Sequence, residues 1–347
     1  MLEASEAAKQ LVGAVFNCRL KLARLVGEGG MGAVYEAHGI RGEGVRAIKV
    51  LHAEFTGEEQ ILSRFFAEAQ AVQTLQHANV TQIYEAQRAE DGTPYLVMEF
   101  LRGTPLSGIM HPGKPLPPEQ AATIMVGVLE ALEGGHQRGI VHRGLNPDHL
   151  FMVDAGQGRH IVKVLDFGIA KVMDAAGGMG SKTKTGVLLG TPGYMSPEQI
   201  KNSQGVDPRS DLWSVGIILY EMLTGQEAFV ADNEFQRLTM VLTQDVKPIA
   251  SVRPELSAWS QFFQRALSKD IAGRFQSARE MAQALGAMGS VRGQSGHGQA
   301  GGTVALDLGA LQQQAAQHGF SQHGHQPHSS QPSAHQPYGG GHASSQL

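Results

Sequence analysis

Gly27-Glu28-Gly29-Gly30-Met31-Gly32-Ala33-Val34-Tyr35 is the stretch whose reading decides the fold. Glycines in the order G-x-G-x-x-G let a backbone approach phosphate closely, and two chemistries share that pattern. A dinucleotide-binding turn must lead from its glycines into a helix. Here they lead into Ala33-Val34-Tyr35-Glu36-Ala37, which reads as a strand, so the loop joins two strands. Outward from it, strand-like apolar runs cover Leu20 to Leu25, Ala33 to Ala37, Val45 to Leu51, Val80 to Ala86 and Tyr95 to Phe100. One helix interrupts them. Over Glu58 to Leu75, the residues Ile61, Leu62, Phe65, Phe66, Ala69, Val72 and Leu75 recur at three- and four-residue spacings.

Beyond residue 101 the pattern changes. Residues 117–139 and 211–285 are mostly helical, with short strands at Phe151 to Val153 and Val162 to Leu165. A β-rich unit followed by an α-rich unit is an α+β arrangement. The expected organisation is a lead-in over 1–18, a first lobe over 19–101, a second over 102–289 and a flexible tail over 290–347. After Arg292 the tail carries one charged residue, Asp307, and is otherwise rich in Gly, Gln, His, Ser and Pro, too polar to offset its ordering entropy.

Composition narrows the function classes. Lys and Arg number 28 against 32 Asp and Glu, a net charge of −4, which argues against attachment to nucleic acid or anionic membrane by bulk charge. The single cysteine, Cys18, excludes an internal disulfide framework and fits a reducing compartment. The most apolar run, Leu212 to Leu223, is shorter than the roughly 20 residues of a membrane span and contains Glu221. The first 16 residues lack a signal-peptide pattern, so a cytoplasmic protein is expected.

The spaced motifs resemble those of the bacterial branch of the eukaryotic-like Ser/Thr protein kinases over roughly residues 19–286. That resemblance implies a two-lobed protein-kinase fold. It also implies an ATP site in which Gly27, Gly29 and Gly32 form a flap and Lys49, in Ala47-Ile48-Lys49, meets the phosphates with Glu68 as its partner. Val97-Met98-Glu99-Phe100-Leu101 is similar to the hinge whose backbone pairs with adenine. Met98 would guard the rear of the pocket. Val26, Val34 and Ala47 would lie above the base and Phe151 below, although a plain core role suits these apolar residues equally well. Asp166-Phe167-Gly168 resembles the magnesium-binding triplet, with Asp166 on the Mg²⁺. Gly190 to Glu198 resembles the end of the activation loop. Glu198 would pair with Arg274 in a late helix, and Asp211 would anchor the catalytic-loop backbone.

The resemblance fails at the chemical centre. Where the family reads H-R-D-L-K-P-x-N, this chain reads His142-Arg143-Gly144-Leu145-Asn146-Pro147-Asp148-His149. Gly144 replaces the aspartate that accepts the substrate's proton. Asn146 replaces a charge-neutralising lysine, and His149 replaces an asparagine ligand of the second magnesium. A positioned acid or base is worth about 10²–10⁴ in rate, or roughly 3–5 kcal/mol of barrier. Asp148, the nearby carboxylate, occupies a variable position that points away from substrate in the family. Mg²⁺ takes hard oxygen ligands, while imidazole nitrogen suits transition metals.

These features predict a nucleotide-binding pseudokinase that acts on other proteins, a kinase or its substrate, as a regulator or adaptor. The alternatives are a slow Ser/Thr kinase and a metal-responsive interaction protein. The last would use the tail histidines His297, His318, His323, His325, His328, His335 and His342. Ser181, Thr183 and Thr185 are candidate phosphorylation sites for an upstream kinase. Thr303, with Leu306 three residues on, resembles a motif read by phosphothreonine-recognising domains.

Overall fold

Nine strands divide between two antiparallel sheets. In this computed structural model, which describes residues 5–42, 44–168, 192–202 and 206–290, the strands are β1 (Val15–Phe16), β2 (Leu20–Glu28), β3 (Gly32–Gly39), β4 (Val45–Leu51), β5 (Ile83–Arg88), β6 (Pro94–Glu99), β7 (Gly103–Pro105), β8 (Leu150–Asp154) and β9 (His160–Val164). The first sheet runs β1-β2-β3-β4-β6-β5, and the second, smaller sheet runs β7-β8-β9. Register places Lys49 of β4 between Val34 of β3 and Leu96 of β6, and Ala47 between Glu36 and Met98.

The expected lead-in is part of the first sheet's packing. A short helix, α1 (Glu6–Gln10), is capped by Ser5, and β1 pairs with β2. Ala8 and Phe16 are buried with Tyr35, whose hydroxyl donates to the Ala8 carbonyl at 2.8 Å. A short α2 (Ala53–Thr56) precedes α3 (Glu59–Gln73), which matches the predicted amphipathic helix and buries Ile61, Leu62, Phe65, Ala69 and Val72. Side chains of this size contribute about 1.5–3 kcal/mol each when removed from water. That burial fixes the face of α3 turned toward the sheet, and with it the side on which Glu68 emerges.

The second lobe is built on helices. These are α4 (Pro118–His136), α5 (Pro197–Lys201), α6 (Pro208–Thr224), α7 (Glu234–Thr243), α8 (Ile249–Val252), α9 (Ser260–Ala266) and α10 (Ala278–Ser290). The most apolar run of the sequence is the interior of α6, which is buried on nearly every side. Asp207 caps its start, Pro208 occupies its first turn, and Gly225 ends it in a left-handed conformation at φ 66°. A β-carbon there would lie 2.8 Å from the Lys114 backbone nitrogen, so glycine is required twice over. Among the described residues, no helix is long and apolar enough to cross a membrane.

Hydrogen bonds tie the two sheets together beside the hinge. Thr81 N donates to the Val164 carbonyl at 3.0 Å, and Val164 N donates to the Asn79 carbonyl at 2.8 Å. Glu99, at the end of β6, accepts from Lys163 Nζ of β9 at 2.6 Å and from Gln82 N at 2.7 Å.

Candidate nucleotide and phosphoryl-transfer site

The glycine loop sits between β2 and β3, as its sequence context requires. Gly29 N donates to the Gly32 carbonyl at 3.0 Å and closes the turn. Gly32 has no room for a side chain, since a β-carbon would fall 2.1 Å from the Val50 carbonyl oxygen. Gly27 and Gly29 face open space, where a β-carbon would meet nothing closer than 4.0 Å. Two contacts hold the loop from outside. The Glu28 carboxylate accepts from Ser5 N at 2.6 Å and Ser5 Oγ at 2.7 Å, and His52 Nε2 donates to the Gly29 carbonyl at 2.9 Å. Sequence reading missed Ser5 and His52, because both bonds join residues 23 apart and neither belongs to a local pattern.

Below the loop, Ala47 and Met98 are buried side by side, Val34 is half-buried and Val26 is exposed. Leu101 and Phe151 are half-buried, with Phe151 on β8 opposite Pro105 in register. Met98 also lines a small cavity behind the cleft with Val72, Thr81, Val164 and Phe167. The Glu99 side chain is held by Lys163 and Gln82 N, and its own N–H donates to the Gln82 carbonyl at 3.0 Å.

Lys49 is buried, and its ammonium donates to Asp166 Oδ1 at 2.7 Å. The expected partner was Glu68. The ammonium instead meets Asp166, whose backbone is left-handed at φ 53°. Glu68 instead lies against the following turn, where a β-carbon on Gly168 would approach its Oε2 to 2.9 Å. Burial works against charge on the Asp166 carboxyl. The nearby Lys49, then His149, outweigh burial and hold it below the usual carboxylate range.

The altered loop is tightly built. Asp211 receives His142 N and Arg143 N, each at 2.8 Å, and His136 Nε2 at 2.8 Å. Burial pushes the His142 ring down to about 4, so it is neutral at pH 7. Its Nε2 donates to the Leu165 carbonyl at 2.8 Å, which leaves Nδ1 to accept from Gly144 N at 3.3 Å. Asn146 turns its amide oxygen onto the N–H groups of Asp148 (2.9 Å) and His149 (3.1 Å), capping a short 3₁₀ turn. Asp148 Oδ1 accepts from Ser107 Oγ at 2.5 Å. His149 Nδ1 lies 2.6 Å from the Gly144 carbonyl, and its Nε2 lies 3.8 Å from Asp166 Oδ2.

A second anchor supports this loop from below. Glu198, on α5, accepts two bonds from the Arg274 guanidinium, at 2.7 and 2.8 Å, and one from Ser210 Oγ at 2.7 Å. Arg274 follows a 3₁₀ turn, Ile271–Gly273, rather than standing within a helix as expected. Gln199 Nε2 reaches the Arg143 carbonyl at 2.7 Å, so α5 and the altered loop are directly joined. Ser181, Thr183, Thr185 and Thr303 lie outside the described residues, as do the tail histidines.

Flap, buried lysine, aspartate turn and loop anchor form one connected arrangement, and residues 20–285 match the protein kinase domain. The chain belongs to the protein kinase family. Similar kinases include serine/threonine-protein kinase Pkn1 of Myxococcus xanthus, 40% identical over 81% of this chain and 39% of its own length. Another is pkn3 of the same organism, 36% identical over 82% of this chain and 52% of its own. PknB of Mycobacterium leprae is 36% identical over 76% of this chain and 42% of its own. This kinase-family chain thus spans about half or less of the length of these relatives. The crystal structure of the Mycobacterium tuberculosis PknI kinase domain shares the fold, with a TM-score of 0.63 at 23% identity, covering 81% of this chain and 99% of that one.

Proposed function

We propose that this chain is a nucleotide-binding pseudokinase, a regulator or adaptor in bacterial Ser/Thr phosphorylation that works through other proteins. One observation carries the reading. The base position is Gly144, which has no side chain to take a proton. Asp148 is engaged by Ser107, and Asn146 spends its amide oxygen on capping the turn. The binding half keeps its chemistry: an open glycine flap, a buried Lys49, and Asp166 in reach of it. ATP would rest under the flap with its phosphates toward Lys49. Asp166 suits one divalent cation, whose charge would screen those phosphates. His149, a nitrogen donor, does not suit a second Mg²⁺.

A second reading is favoured by the similar Ser/Thr kinases and by the Lys49–Asp166 pair: a slow Ser/Thr kinase that transfers the ATP γ-phosphate to protein. The metal-responsive alternative rests on tail histidines that lie outside the described residues. Labelled Mg·ATP with generic protein and self substrate, for wild type, Lys49→Met and Gly144→Asp, separates the first two. Transfer gained only in Gly144→Asp supports the pseudokinase. Wild-type transfer abolished by Lys49→Met supports the enzyme. Nucleotide binding is read separately by thermal shift, and no shift at millimolar Mg·ATP refutes it.

A further inference from the structure

The Asp-to-Gly and Asn-to-His departures touch each other in space. The Gly144 carbonyl can only accept, so the 2.6 Å contact makes His149 Nδ1 the N–H donor. In the neutral ring the lone pair then sits on Nε2, which faces Asp166 Oδ2 at 3.8 Å. The other Asp166 oxygen, Oδ1, is taken by Lys49. An imidazole that donates one nitrogen to a backbone carbonyl and turns the other toward a carboxylate has the outer-shell arrangement of a metal-ligating histidine. Two ligand atoms about 2.1 Å from one ion stand about 3.0–3.4 Å apart. Closing from 3.8 Å takes about half an ångström of side-chain rotation.

We infer that His149 Nε2 and Asp166 Oδ2 form a mixed nitrogen–oxygen site, completed by nucleotide phosphate oxygens, that selects a transition-metal ion such as Mn²⁺ or Co²⁺ over Mg²⁺. The inference rests on the nucleotide-binding reading. Magnesium holds hard oxygen ligands and gains little from imidazole, whereas affinity for nitrogen donors rises along the first-row metals. The exchange of asparagine for histidine therefore changes which ion accompanies the nucleotide, rather than simply deleting a ligand.

The test is a metal titration of the full-length chain at fixed ATP, read by thermal shift with Mg²⁺, Mn²⁺ and Co²⁺, beside His149→Asn. Because Co²⁺ binds most sites more tightly than Mg²⁺, the deciding quantity is the Co²⁺-to-Mg²⁺ ratio of apparent affinities in wild type divided by that in the variant. The expected value is about tenfold or more, since even loss of an outer-shell partner of a metal ligand costs about 10–100-fold in affinity. The visible absorption of the Co²⁺·ATP complex is also expected to differ between the two proteins. Both carry the same histidine-rich tail, so its contribution cancels. Equal ratios with identical Co²⁺ spectra overturn the inference while leaving nucleotide binding intact. Absence of an ATP-dependent shift with every metal overturns both.

Discussion

Replacing Glu198 with Gln should destabilise the kinase fold by about 3 kcal/mol, and the structure gives that figure by two routes. Burial alone would raise the Glu198 carboxyl, but the hydrogen bonds and charge of Arg274, helped by Ser210, bring it down from 4.5 to about 2. A gap of that size, at 1.36 kcal/mol per pH unit, is worth about 3 kcal/mol. Independently, Arg274 is 1% exposed, and a buried ion pair that loses one partner costs about 3–5 kcal/mol because the remaining charge has no counterion. In a lobe of this size the loss lowers the melting temperature by about 6–12 °C. The sign of the pH dependence follows from the depressed value. The stabilisation is whole above the unfolded carboxyl's value near 4.3 and drains away as pH falls toward 2. Urea denaturation of wild type and Glu198→Gln at pH 7, 5 and 3.5 should thus show a gap that narrows with acid. Glu198→Gln combined with Arg274→Met should be less destabilised than Glu198→Gln alone, since no orphaned guanidinium remains. A gap under 1 kcal/mol at pH 7, or one that widens in acid, refutes the reasoning.

Gly32→Ala should lose several kcal/mol of stability in urea denaturation, because its β-carbon falls 2.1 Å from the Val50 carbonyl, while Gly29→Ala should fold normally, with its β-carbon no closer than 4.0 Å to another atom. Asp148→Ala should leave any measured phosphoryl transfer within twofold of wild type, as the carboxylate is bound to Ser107; a loss of tenfold or more would show that Asp148 has taken over the base's work.

Much of the fold was legible because its signals are local. The turn from glycines into a strand, the spacing of Ile61, Phe65, Ala69 and Val72, and the strongly apolar run of α6 each specify an element from neighbouring residues alone. The partner of Lys49 was not legible, because Asp166 lies 117 residues away in the sequence. In sequence, residues 1–18 read as a lead-in separate from the first lobe. The burial of Ala8 and Phe16 against Tyr35 is what joins these two residues to the first sheet's core. At the altered loop, sequence exposed each substitution singly. That Gly144 and His149 meet through a carbonyl and an imidazole is a property of the turn between them, which Asn146 caps.

The bonds that meet at Glu99, from Gln82 just before β5 and from Lys163 of β9, have a mechanical consequence. Because Glu99 is clamped by Lys163 on one side and Gln82 on the other, with residues Asn79 and Thr81 bonded to Val164, the lobes share a stiff joint. Any gaping must pivot there. The glycine loop, at the far end of the lever, then travels farthest for a given rotation, so a small yield at Lys163–Glu99 is read out as a large change in clearance above the phosphates.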